Sequence, residues 1–507
     1  MARLILICAL LVPNVCALQV QLRQGTVRGL DVETPFGRTA AFLGVPYAQP
    51  PVGALRFAAP RPPLFSDGIY NATEKKFSCP GPEISIGKWV VADFGEQDED
   101  CLYLNIWAPA NASNLPVVLY IHGGIFVAGS GGWFPFDGTR LAPRADIVYI
   151  TMNMRLGVLG FINLPVLSDT NVGLLDIVRA VHWVHENAEA FGGNPEQLTL
   201  WGQSAGAISI DFLLKSDAIS GLVRRAILEG GSAGLAKFLL EFDGEYESRQ
   251  LAYTLGCSSA EPDGEAHDRE LLSCLREVPW QDIIKTRSEG GTIDKVSIQP
   301  FIDGKLLKKD VVASPHIDPS VEELFVVSNE LEAFLILEGL VKKLYETNDI
   351  TSIDWGTILK ISFKVVLRLP YEKSAEIIRR YIPDDVIDES RLSKELREIE
   401  IQRGIASMFT DSFFYCPAEF RSATAGDRGV RVSRGEFHFR PDFSFVPKWA
   451  SMSHAEEIAL MHGNLDLYKP GKGLSGAMMN SFVNVSRSDY DFSDVIVKWI
   501  GDFFHGR

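Results

Sequence analysis

Gly202-Gln203-Ser204-Ala205-Gly206 is the stretch on which the reading of this chain turns. Glu196-Gln197-Leu198-Thr199-Leu200-Trp201 before it has the length and apolar content of a short buried strand. Ala207 to Lys215 after it is apolar at helical spacing. A serine held between strand and helix in this way is lifted out of both. The flanking glycines have a steric cause, because strand and helix nearly touch around the serine and a β-carbon at either flank would clash. The serine's own backbone is expected to be strained. Ser204 is therefore the candidate nucleophile.

Working outward, nothing in the composition divides the chain. It has 507 residues, 46% of them hydrophobic and 22% charged, with no low-complexity run, internal repeat or linker. Large α/β enzymes reach this length as one unit. The formal net charge of −16 argues against nucleic acid or an anionic membrane as a partner, since both repel it. Arg3, the apolar run Leu4 to Val12 and the small residues of Val15-Cys16-Ala17 form a secretory signal pattern, with cleavage expected after Ala17. No later stretch is apolar for long enough to suggest a membrane span. Sequons at Asn71, Asn111 and Asn484 fit a glycoprotein. The expectation is a secreted, extracellular protein whose fold occupies residues 18–507.

Beyond the signal, five cysteines remain. Two local pairings suggest themselves, Cys79 with Cys101 and Cys257 with Cys274. Each would close a loop of about 20 residues, worth ~3 kcal/mol in the chain-entropy view. Metal binding is the rival reading, but no Cys-x-x-Cys or histidine cluster accompanies them. Cys416 is left over, expected as a buried free thiol or as a bridge between chains.

Further motifs carry a resemblance. Phe42-Leu43-Gly44-Val45-Pro46-Tyr47-Ala48 and Pro50-Pro51-Val52-Gly53-Ala54-Leu55-Arg56-Phe57 come first, followed by Glu99-Asp100-Cys101-Leu102-Tyr103-Leu104-Asn105. His122-Gly123-Gly124, Asn153-Met154-Arg155-Leu156-Gly157, Gly173-Leu174-Leu175-Asp176 and Phe191-Gly192-Gly193-Asn194-Pro195 follow in order, ahead of the serine turn. Together these resemble the type-B carboxylesterases and cholinesterases, arthropod carboxylesterases among them. The resemblance is dense from about residue 20 to 235 and sparser afterwards. It implies the α/β-hydrolase fold, a central mostly parallel sheet with helices on both faces, and makes the serine turn a nucleophile elbow. It also implies the two cysteine bridges named above and a structural ion pair between Arg56 and Glu99.

The serine needs a base, and His454 matches the family's C-terminal pattern, following Trp449 and preceding Glu457-Ile458. His462-Gly463 is the rival, eight residues later. His122, His182 and His185 are read as packing or solvated residues. An acid must orient the base. The strand pattern Leu324-Phe325-Val326-Val327 leads to Ser328-Asn329-Glu330, and the resemblance points to Glu330, with the aromatic Phe334 four residues on. Glycine usually follows that glutamate and Leu331 stands here instead, which leaves Glu332 as the rival. Ser204, Glu330 and His454 follow the chain order of the hydrolase fold.

The oxyanion hole carried over comprises the backbone N–H groups of Gly124, Ile125 and Ala205. Ile125 departs from the usual small residue: its β-branched side chain either lines the acyl pocket or points into the core. Gln203 replaces the usual glutamate, as it does in insect juvenile hormone esterases, yet Ile177 does not match those enzymes. Trp89 lies near a choline-binding tryptophan of cholinesterases, with simple packing as the alternative. Cys416-Pro417 resembles the cholinesterase cysteine that bridges to a C-terminal partner, and the chain stops before any such partner, so the family's usual C-terminal helix is expected to be missing.

The expected function is hydrolysis of carboxylic esters of small molecules through an acyl-serine, with no metal or organic cofactor. Two alternatives stand beside it. One is a catalytically weak adhesion or matrix protein of the neuroligin or glutactin type, and the other is a cholinesterase or juvenile hormone esterase. The oligomeric state is not legible.

Overall fold

The apolar runs of the sequence become neighbouring strands of one large sheet. The computed structural model describes residues 18–507 except 66–67, 83–84, 87–89, 92–93, 238–239, 241–242, 259–263, 290–297, 335–336, 338–370, 384–385, 387–391, 445 and 469–484. The signal segment, Trp89 and the Asn484 sequon lie outside the described residues.

The strands are β1 (Leu18–Gln21), β2 (Thr26–Thr34), β3 (Gly37–Pro46), β4 (Ile69–Asn71), β5 (Ser85–Ile86), β6 (Val90–Val91), β7 (Tyr103–Pro109), β8 (Leu115–Ile121), β9 (Val148–Met152), β10 (Gly193–Gln203), β11 (Arg225–Glu229), β12 (Glu323–Asn329) and β13 (Arg431–Phe437). The main sheet runs β1-β2-β3-β7-β9-β8-β10-β11-β12-β13, with β4 against β2, while β5 and β6 pair apart. The first half is antiparallel as far as the β7–β9 pair, and β9-β8-β10-β11-β12-β13 are parallel throughout.

Parallel strands joined by helices are buried on both faces, so their sequences run apolar without alternation. The two faces can be read residue by residue. Leu119, Leu228 and Leu324 pack into one core, and their neighbours Tyr120, Ile227 and Phe325 into a second. The first core is closed by helices that include Val172–Asn187 and Ala205–Leu214. The second is closed by Gly138–Ala145 and Arg487–Phe504. The expected mostly parallel sheet with helices on both faces is what the chain forms.

Several motifs now have a physical job. Arg56 and Glu99 form the expected buried ion pair, with Arg56 Nε donating to Glu99 Oε1 at 2.7 Å. Arg155 and Asp176 join their two motifs through a buried pair at 2.6 Å. Gly157 N–H donates to Phe126 O at 2.7 Å, tying the Arg155 segment to the loop after β8. Cys79–Cys101 and Cys257–Cys274 are bridged as expected. Cys416 corrects the expectation of a buried thiol. It sits exposed at the start of the helix Cys416–Gly426, with its side chain on the solvent side of that helix.

Candidate active site

Ser204 occupies the turn between β10 and the helix Ala205–Leu214. Its backbone has φ 54° and ψ −121°, a region that costs a non-glycine residue roughly 1–3 kcal/mol. Two contacts hold it there. Its N–H donates to Glu229 O at 2.7 Å, and its carbonyl accepts the Ile208 N–H at 3.0 Å. Gly206 is required by close approach, because a β-carbon there would lie 2.0 Å from Ile121 O. The turn therefore presses against the end of β8, where the loop His122–Phe126 begins.

That loop closes over the serine. A β-carbon on Gly123 would stand 2.9 Å from Ser204 Cβ, and one on Gly124 would meet Ala128 O at 2.0 Å. Gly124 has φ 116°, and Ile125 and Phe126 follow at 54° and 60°. Among the described residues no protein acceptor is bound to the N–H groups of Gly124, Ile125 or Ala205. Ile125 is 39% exposed, which removes the alternative that it points into the core.

His454 lies across the Gly230-Gly231 backbone. A β-carbon on Gly230 would stand 3.2 Å from His454 Cε1, and one on Gly231 would meet Ser204 O at 2.5 Å. His454 Nδ1 meets Glu332 Oε2 at 2.6 Å. A carboxylate only accepts, so Nδ1 carries the hydrogen and Nε2 keeps its lone pair. Burial disfavours the imidazolium, but the charge and hydrogen bond of Glu332, with Glu457 behind, outweigh it and raise the His454 pKa.

The glutamate in that contact is a correction: Glu330, expected to orient His454, does not reach it. Glu330 N–H donates to Phe437 O at 3.1 Å, which carries the β12–β13 pairing one residue further. The Glu330 side chain consequently leaves at the sheet edge, where Oε2 lies 3.2 Å from His438 Nδ1 in a half-exposed pair. Leu331 N–H then docks onto Met452 O at 3.2 Å, next to the segment that bears His454. Glu332 is turned inward and fully buried, with Oε1 accepting the Asn329 N–H at 2.8 Å. Ala333, the small residue after Glu332, was the signal available in the sequence: it stands where the resemblance leads one to expect glycine.

His462 is excluded as base by its surroundings. Its ring stacks on Trp201 at 4.4 Å, with Nδ1 on Ile458 O at 2.9 Å and Nε2 on Tyr149 Oη at 3.0 Å. Burial lowers it to about 3, so it is a neutral packing residue. His122 is buried likewise and lowered to about 4. His182 is exposed, and His185 lies near Glu196 at the surface.

Two residues beside the site, Glu457 and Glu229, were not read as part of it. Glu457 accepts from Asn329 Nδ2 at 2.5 Å and from Gln203 Nε2 at 3.3 Å. The same Gln203 amide nitrogen stands 3.4 Å from His454 Nε2. Glu229 accepts from Trp201 Nε1 at 2.7 Å. Burial, then the nearby Glu457, pushes the Glu229 carboxyl well above the ordinary glutamate range. Burial and Glu332 raise Glu457 as well. A glutamate closing the apolar run Ala226-Ile227-Leu228 was the visible hint for Glu229, since such a position ends inside the fold.

The sequence profile of the Carboxylesterase family matches residues 17–503. Acetylcholinesterase-1 of Trittame loki is 31% identical over 463 residues, covering 88% of this chain and 80% of that protein. With its mixed sheet, buried elbow serine and matching span, the chain belongs to the carboxylesterase family, whose fold is that of the α/β hydrolases.

Proposed function

We propose that the protein is a secreted serine hydrolase that cleaves carboxylic esters through an acyl-serine, with Ser204 as nucleophile, His454 as base and Glu332 as the acid that orients it. His454 Nε2 takes the Ser204 proton as Oγ attacks the ester carbonyl. The tetrahedral oxyanion is received by the N–H groups of Gly124, Ile125 and Ala205. Collapse expels the alcohol, which takes the proton back from His454, and water then attacks the acyl-serine with the same base. Glu332 keeps the proton on Nδ1 and stabilises the transient imidazolium. The 2.6 Å contact between His454 and Glu332, beside a serine held at φ 54°, carries this reading.

Secretion is supported by the signal pattern of residues 1–17, by two disulfides and by exposed sequons at Asn71 and Asn111. Among the described residues no helix is long and apolar enough to cross a membrane. Residues 18–507 are read as one hydrolase domain. The similarity to an acetylcholinesterase raises choline esters as substrates, but Gln203 presents a neutral amide and spends it on Glu457. Neutral short-chain esters are the favoured substrates. A panel of p-nitrophenyl acetate to octanoate, acetylthiocholine and a juvenile hormone tests this. Turnover of the p-nitrophenyl esters that Ser204→Ala abolishes supports the reading, and no turnover of any ester by the wild type overturns it.

A further inference from the structure

Three buried carboxyls, Glu229, Glu332 and Glu457, act on one another, Glu332 and Glu457 also face His454, and together they hold more potential negative charge than the single imidazole can balance. Among the described residues no lysine or arginine forms an ion pair with Glu229 or Glu457. Buried like charges at close range do not all ionise, and such a group titrates as a unit.

Hydrogen bonding decides where the proton resides. Glu457 has a donor on each oxygen, Asn329 Nδ2 on Oε2 and Gln203 Nε2 on Oε1, as an ionised carboxylate requires. Glu332 likewise has the Asn329 N–H on Oε1 and His454 on Oε2. Glu229 differs. Its Oε2 accepts from Trp201 Nε1, but its buried Oε1 has no donor, although its carboxyl is within hydrogen-bonding reach of Glu457. An acceptor buried without a donor is unfavourable, and a proton placed on that oxygen turns it into a donor for which the Glu457 carboxylate is the neighbouring acceptor.

We propose that Glu229 is a neutral carboxylic acid at physiological pH, with its proton on Oε1 shared with the Glu457 carboxylate, and that it acts as a positioning residue for His454 through Glu457. The ionisable groups facing Glu229 are Glu457 on the His454 segment, Glu332 after β12 and the buried Tyr149 phenol on β9. Those facing His454 are Glu332 and Glu457. The Glu229 backbone simultaneously receives the Ser204 N–H, so one residue braces the nucleophile through its carbonyl and the base through its acid. Gln203 fits the same logic, because a glutamate there would offer Glu457 another negative charge in place of a donor. The catalytic role of His454 rests on the function proposed above, whereas the protonation of Glu229 does not.

The test is infrared difference spectroscopy on the intact protein with isotope-labelled glutamate, which reads the carbonyl band of a buried neutral carboxyl. At neutral pH the wild type should show such a band, Glu229→Gln should lose it and Glu332→Gln should keep it. Absence of the band in the wild type, or its persistence in Glu229→Gln, overturns the proposal. Should Glu229→Gln fail to fold, Glu229→Asp replaces it: a shifted band supports the assignment and an unshifted one refutes it. No step of the test needs ester turnover, so an inactive protein with the Glu229 band would refute the hydrolase reading alone.

Discussion

Glu332 Oε2 lies 2.6 Å from His454 Nδ1, while Glu330, two residues earlier, spends its carboxylate on His438 at the sheet edge. The two glutamates are chemically equal and separated only by Leu331, so their substitution should divide cleanly. Glu332→Gln should lower kcat by roughly 10⁴-fold, the scale for losing the acid that fixes the base's tautomer. Glu330→Gln removes a half-exposed pair worth about 1 kcal/mol or less and should leave the steady-state rate within a few-fold of wild type. Parallel kinetics on p-nitrophenyl acetate measure both.

The pH profile should carry the imprint of the carboxylates. His454 works as a base only when neutral, and Glu332 and Glu457 hold its pKa above the ordinary histidine value. Activity should therefore fall with decreasing pH from above the usual histidine range. Glu457→Gln removes one stabilising charge and should move that acid limb to lower pH. A limb that stays in place in this variant would show that Glu457 does not act on His454.

Glu229 should also mark the stability curve. Its folded pKa is raised, so its contribution is fully present below the unfolded glutamate value and is lost as pH rises towards the folded one. The wild type should lose stability across that interval, and Glu229→Gln should show a flatter dependence when melting temperature is followed against pH.

Ile125 is expected to set acyl size more than basal rate. It is exposed beside the turn, and its N–H has no protein acceptor among the described residues. Ile125→Gly should widen tolerance for longer acyl groups with little change on acetate. Left-handed backbone costs an L-residue ~1–2 kcal/mol, and glycine's extra chain entropy returns ~0.5–1 kcal/mol of that, so stability should move little. A gain of 10²-fold or more on p-nitrophenyl acetate, the scale of one hole donor, would mean that the N–H is turned away in the wild type.

Arg56→Ala should destabilise the fold by about 3–5 kcal/mol, because it strands Glu99 buried and without its cation. It also removes donors from Leu275 O and Val278 O, which Arg56 Nη1 meets at 2.9 and 2.6 Å. Denaturant unfolding measures the loss.

Much of this architecture was legible because it rests on local chemistry. The glycines of the elbow, the continuous apolar runs of β8, β10, β11 and β12, and the cysteine spacings each follow from short-range sterics or pattern. Which glutamate reaches His454 was not legible, for a reason of the opposite kind. Whether Glu330 or Glu332 faces inward depends on how far β13 extends the pairing of β12, set by residues about a hundred positions away. Glu229 was passed over because its significance arises only when Trp201, Glu457 and Ser204 converge on it. The exposure of Cys416 follows from which face of its helix packs on the sheet, and no local pattern reports that.

The most direct measurement is the mass of the protein and its peptides after reaction with an organophosphate such as diisopropyl fluorophosphate. The account predicts one adduct per chain, on the peptide carrying Ser204, formed rapidly in the wild type and at a rate reduced by orders of magnitude in His454→Ala and Glu332→Gln. An adduct on another serine, or labelling of Ser204 that proceeds equally well without His454 and Glu332, would contradict it.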